Sequence, residues 1–157
     1  MDDKMRIPSA LSTALTAQGF LQGSCRPERL IGGQTNRLWR IIDGRGVARV
    51  AKLISQDRDN PLFRNDPETE TAMMKFLAPQ NLAPGFESMV RVASGTCLLY
   101  GYVSGQTWTE NTAPVARLLG KVHGLSISGL SSRTADGSTE IWQQTQFILS
   151  RCKAVPI

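Results

Sequence analysis

Histidine is almost missing from this 157-residue sequence: His123 is the single instance, and the three cysteines are Cys25, Cys97 and Cys152. One histidine and an odd number of thiols without paired spacing leave nothing from which to build a Cys/His zinc site or a disulfide framework. A reducing, cytoplasmic compartment is the simplest expectation. Long apolar runs are missing too. No stretch approaches the roughly 20 apolar residues needed to cross a bilayer. Asp2 and Asp3 precede a mildly apolar segment broken by Ser, Thr and Gln, unlike the continuous apolar centre of a signal peptide. No membrane partner is expected. Aromatic residues make up only 6% of the chain. The basic stretch between Arg26 and Arg64 therefore has Trp39 and little else on which nucleobases could stack, and no helix-turn-helix, KH or RRM signature occurs. Despite a net charge of +5, nucleic acid is disfavoured as a partner.

What is present suits one compact domain: 41% hydrophobic and 20% charged residues are enough to bury a core and keep the surface wet. Residues 8–19 open on a proline fitted to a first helical turn and close on a glycine fitted to the position past a helix end. RPERLIGG holds a short strand running into paired glycines, and LWRII resumes an extended apolar pattern before the turn DGRG. VARVAKLI alternates Val47, Arg49, Ala51 and Leu53 against Ala48, Val50, Lys52 and Ile54, which predicts a strand paired across the Asp43-Gly44 turn. DPETETAMMKFLA begins acidic, carries Pro67 near its first turn and spaces Met73, Met74 and Leu77 as a helix does. GFESMVRVA and GTCLLYGYV read as two more strands around Ser94-Gly95, and APVARLLGKVHGL as an amphipathic helix. A Ser/Gly-rich connector then leads to TEIWQQTQFILSRC, whose Ile141, Thr145, Ile148 and Cys152 share one helical face. The expected fold is α+β: a five-stranded antiparallel sheet with a packed helix, followed by further helices.

Three features carry chemistry. Gly32 and Gly33 let backbone N–H groups approach phosphate oxygens, and Thr35 and Asn36 can add side-chain donors. Alone, such a pair is an ordinary turn. Lys52 lies on the strand after that turn, where an ammonium on a rigid element can hold nucleotide phosphates; by itself it would be a solvated strand lysine. Glu70 in the following helix is placed to orient that lysine, with Glu68 as the alternative. Asp57 and Asp59 read as loop acids rather than metal ligands.

Taken in order, GGQTNRLWRI, VAKLI, PLFRNDPETE, NLAPGF, LLYGYVSGQTW and VARLLGKVHGLS resemble the choline/ethanolamine kinase and aminoglycoside phosphotransferase superfamily over about residues 28–126. The resemblance implies a protein-kinase-like N-terminal lobe that binds ATP, with Mg2+ accompanying the nucleotide on ligands outside this sequence. Gly32, Gly33, Gln34, Thr35 and Asn36 match the phosphate-facing loop. Lys52 matches the nucleotide-binding basic residue, with Arg49 on the same strand as a competitor, and Glu70 matches its helix partner. Leu99, Tyr100, Gly101, Tyr102 and Val103 match the hinge whose backbone reads the adenine edge, and Gly105 and Trp108 follow as in the family's Y-V-x-G-x-x-W stretch. On this reading residues 1–103 form the nucleotide-binding lobe with its N-terminal helix, and residues 104–157 the hinge exit and the truncated start of a second lobe.

One departure matters. The family's H-x-D-x-x-x-x-N catalytic loop has no counterpart, because His123 is followed by Leu125 and Leu130 where the aspartate and asparagine belong. No catalytic residue is therefore assigned, and His123 reads as a packing or capping residue. The expectation is a kinase fragment that retains nucleotide binding and acts on a small-molecule acceptor only if the missing lobe is supplied. The alternatives are a non-catalytic nucleotide-binding or scaffold module and, from another class, a basic polyanion-binding domain. Apolar surface left uncovered by the missing lobe could be covered in an oligomer.

Overall fold

The computed structural model describes residues 6–22, 27–31, 36–55, 65–105, 110, 112–126 and 146. Its elements are α1 (Ser9–Ala17), β1 (Glu28–Leu30), β2 (Arg37–Ile42), β3 (Ala48–Ser55), α2 (Pro67–Leu77) with a 3-10 turn at Ala78–Gln80, β4 (Phe86–Val92), β5 (Gly95–Gly101) and α3 (Thr112–His123). The five strands form one antiparallel sheet in the order β1-β2-β3-β5-β4. The α+β class and the order of these elements are as the sequence patterns predict. Of the final helix expected over residues 139–152, Gln146 alone falls among the described residues, and it is helical.

Strand alternation divides the sheet into two faces. Trp39, Ile41, Ala51, Leu53, Val90, Cys97 and Leu99 project to one side and form the larger core with Leu11 and Leu15 of α1 and with Leu21. Ile54 and Leu98 project to the other, against Met74 of α2, with Phe86, Met89 and Tyr100 at the margin. The sheet thus carries a helix on each face, where the sequence reading expects one. The apolar stripe of α1 is only two fully buried leucines deep. Both nevertheless sit in the main core, so α1 is an integral layer rather than an appendage.

Because β3 lies third of five and is covered on both sides, its residues alternate poorly between buried and wet, and Val50, Ala51, Leu53 and Ile54 are all buried. Lys52 occupies the middle of this strand, opposite Leu38 of β2 and Leu98 of β5. Among the described residues of β3 it is the one charged side chain on the α2 face.

The β2–β3 hairpin is closed by Asp43, whose Oδ1 accepts from the N–H groups of Arg45 and Val47, both at 2.9 Å, while Gly46 takes a φ of +80°. The β4–β5 turn depends on Gly95 at φ +139°, where a Cβ would lie 2.1 Å from the Ile54 carbonyl oxygen. No residue but glycine fits there. Helix α3 buries none of its residues among those described, and its Val115, Leu118 and Leu119 are exposed. No helix among the described residues is long and apolar enough to cross a membrane.

Candidate functional site

The α2 face of the sheet carries the densest chemistry. Asp66 caps α2, accepting from Glu68 N–H at 3.1 Å and Thr69 Oγ1 at 2.6 Å, with Pro67 in the first turn. The hydrogen bond from Thr69 is the main reason its carboxyl is held below the usual carboxylate range. This cap sets the rotation of α2, and that rotation points Glu70 back over the sheet while Met74, four residues on, packs against Ile54 and Leu98. Lys52 Nζ donates to Glu70 Oε1 at 2.7 Å and Oε2 at 2.6 Å. Neither side chain is sealed off: Lys52 keeps 18% and Glu70 31% of its side-chain exposure. The ammonium is fixed in position while its side chain stays partly open to solvent.

The two competitors left open by the sequence are engaged elsewhere. Glu68 pairs with Arg91 on β4 at 2.6 Å, on the open surface. Arg49, three residues before Lys52 and therefore on the opposite face, is held by Asp43 Oδ2 and Glu87 Oε2, each at 2.5 Å, and its guanidinium lies 5.5 Å from the Phe20 ring centroid. The register shift between Phe86 and Ser88 falls at Glu87, so a β-bulge turns this carboxylate towards Arg49. The Glu87 hydrogen bond is the largest cause holding the Arg49 guanidinium above its ordinary value. Of the cations on β3, Lys52 is the one poised beside an accessible face.

Asn36 directly precedes β2. Its Nδ2 donates to Asn65 Oδ1 at 3.0 Å, tying the start of β2 to the residue preceding the α2 cap, and its own Oδ1 is buried without a hydrogen-bond partner among the described residues. Gly32, Gly33, Gln34 and Thr35 lie outside the described residues, as do Asp57, Asp59 and Trp108.

No protein-family model matches the chain, and no curated protein matches it. The site stands on its geometry.

At the far end of β5, Leu99 is fully buried in the α1-side core with its backbone paired to Ala51 and Ser88. It contributes packing and offers no group to the Lys52 face. Tyr100 lies on the same face as Lys52, and its phenol is pushed up to about 12, chiefly by burial and then by the Glu70 charge. It therefore stays protonated at neutral pH. The N–H groups of Gly101 and Tyr102 are already spent, donating to the carbonyls of Gly85 and Ala48 at 3.0 and 3.1 Å. Val103 is the first residue past β5 whose backbone N–H and C=O have no partner among the described residues, and its side chain is 71% exposed. Edge-reading by this segment would fall to Val103 rather than to Tyr102.

Two further residues were not legible beforehand. Arg40 places its guanidinium 4.7 Å from the Tyr102 ring centroid, fixing that ring beside the end of β3. Asn65 lies in the stretch PLFRNDPETE, where nothing singles it out. Neither bears a sequence signal, since each meets its partner only through the register of the sheet or the docking of α2.

Proposed function

We propose that this chain binds a magnesium-nucleotide, with ATP as the expected one, on the α2 face of its sheet, as the nucleotide-binding lobe of an ATP-dependent phosphotransferase of the choline/ethanolamine and aminoglycoside kinase kind. The observation that carries the reading is the Lys52–Glu70 pair, a strand ammonium held by a helix carboxylate at 2.6–2.7 Å. That is the element a kinase-like site uses to grip the inner phosphates. Leu38 and Val50 offer an apolar floor on the same face, and Val103 offers at its end a backbone donor and acceptor that have no partner among the described residues. The glycine turn that would meet the phosphates enters from the sequence alone. The acceptor would be a small-molecule hydroxyl, choline- or ethanolamine-like ahead of an aminoglycoside.

These 157 residues contain the grip and no H-x-D-x-x-x-x-N loop. That observation favours a second reading, in which the chain binds nucleotide without turning it over, as a regulatory or scaffold module does. A basic polyanion surface is the weaker alternative. Arg40, Arg49 and Lys52, which lie inside the basic stretch, are each paired to a carboxylate.

Calorimetry with magnesium-ATP, alongside a choline-phosphorylation assay on the same sample, tests the proposal. Binding should weaken at least tenfold in Lys52→Ala and persist in Arg49→Ala. Unchanged affinity in Lys52→Ala would sink it. Binding without turnover is expected of the isolated lobe and of the module alike, and turnover would overturn the statement that the catalytic residues are missing.

A further inference from the structure

The Lys52–Glu70 bond holds α2 to the sheet at one point, and a helix held at one point can still pivot. Met74 adds an apolar contact with Ile54 and Leu98, which is non-directional and tolerates sliding. A directional second tie lies at the start of the helix. Asn36 directly precedes β2, and strand alternation puts it on the face of Leu38, the residue opposite Lys52. Across 29 positions of chain, its Nδ2 donates to Asn65 Oδ1 at 3.0 Å.

Asn65 immediately precedes the α2 cap. The Asp66 side chain accepts from Glu68 N–H, and the Asp66 backbone carbonyl accepts from Glu70 N–H at 3.0 Å. A displacement of Asn65 therefore passes through Asp66 to the backbone of Glu70. On the sheet, the β2–β3 register continues to set Asn36 level with Ile54, two residues along β3 from Lys52. At ~3.3 Å per residue and ~4.8 Å between strands, the two ties stand roughly 8 Å apart. Two bonds at that separation fix the direction of α2 as well as its distance from the sheet. Asn36 Oδ1 is buried without a partner among the described residues, an unpaired acceptor that an apolar residue would not bring. What asparagine supplies here is the bond to Asn65.

We propose that Asn36 and Asn65 are positioning residues of the Lys52 site: their bond holds α2 in the direction that brings Glu70 onto the Lys52 ammonium. They act through the helix rather than by touching the nucleotide. The effect on nucleotide affinity rests on the nucleotide reading above; the effect on the Lys52–Glu70 pair does not.

The test is zero-length cross-linking of the ligand-free full chain with a water-soluble carbodiimide, which joins Lys52 to Glu70 as often as the two meet. Peptide mapping reads the yield, and calorimetry with magnesium-ATP follows on the same proteins. A neutral hydrogen bond shifts an equilibrium roughly two- to tenfold. Asn65→Ala should lower the cross-link yield and weaken magnesium-ATP by about that factor, whereas Asn65→Asp, which keeps the acceptor for Asn36, should retain the yield. Asn36→Ala breaks the same bond from the sheet side and should match Asn65→Ala, so it decides the question if Asn65→Ala folds poorly. In a Glu70→Ala background, Asn65→Ala should weaken magnesium-ATP no further, because its effect travels through Glu70; a general loss of stability would add. An unchanged cross-link yield in Asn65→Ala and Asn36→Ala overturns the proposal, as does an equal loss in Asn65→Asp. Failure of the unaltered chain to bind magnesium-ATP would sink the nucleotide reading and leave the cross-link yields to decide the positioning.

Discussion

Lys52 Nζ sits between the two carboxylate oxygens of Glu70, so a strand at the centre of the sheet and the helix above it are joined through one ammonium. The pair is partly wet, which limits its worth to folding and preserves its reach to a ligand. Glu70→Gln should therefore cost about 1 kcal/mol of stability, in line with incompletely buried ion pairs, while lowering magnesium-ATP affinity more steeply. Urea denaturation and calorimetry on the same variant separate the two effects. A large stability loss with intact affinity would make the pair purely structural.

Arg49 links the β2–β3 turn to the β4 bulge through Asp43 and Glu87. The N–H of Val47 first, and the Arg49 side chain next, hold the Asp43 carboxyl below its ordinary value. A folded-state pKa below the unfolded one contributes stability above the unfolded value, about 4 for an aspartate, and loses it as pH falls through the folded value. Stability should therefore be flat near neutrality and fall on acidification below the usual carboxylate range. Asp43→Asn, which retains an acceptor oxygen for the turn, should lower stability at pH 7 and flatten that acid limb. Chemical denaturation across pH 2–7 checks both features.

Gly95→Ala should be among the most damaging single changes available. Its Cβ would meet the Ile54 carbonyl oxygen at 2.1 Å, and the backbone there holds a φ of +139°. Strain and clash together should cost on the order of 3 kcal/mol or more, seen as a large drop in melting temperature. Gly46→Ala, also at positive φ but with open space around it, should cost far less.

Leu15 is fully buried between α1 and the sheet. Leu15→Ala should cost about 2–5 kcal/mol, measured by denaturant unfolding. A cost near zero would mean that α1 is not part of the cooperative unit.

Cys97 is fully buried, and burial alone pushes its thiol up to about 12. In the native state it should resist thiol reagents at pH 8 and become reactive only on unfolding, as peptide mapping after timed alkylation would show.

The local signals in the sequence were sufficient for the elements themselves. Asp66-Pro67 before a helical apolar stripe, Asp43-Gly44 between two extended runs, and Gly95 between β4 and β5 each specify backbone geometry within a few residues, so α2 and both hairpins could be read directly. The pairing of Lys52 with Glu70 was an expectation carried by the resemblance to kinase-like sequences, with Arg49 and Glu68 left as competitors. Tertiary structure decided which charge meets which. Arg49 and Lys52 both lie on β3, and Glu68 and Glu70 both lie in the first turn of α2. Only the sheet register, the bulge at Glu87 and the docking of Met74 commit Arg49 to Asp43 and Glu87, Glu68 to Arg91, and Lys52 to Glu70. The second helical layer formed by α1, which puts Leu15 in one core with Leu99, likewise joins residues distant in the chain. Their proximity follows from packing and topology, which periodicity along a sequence does not encode.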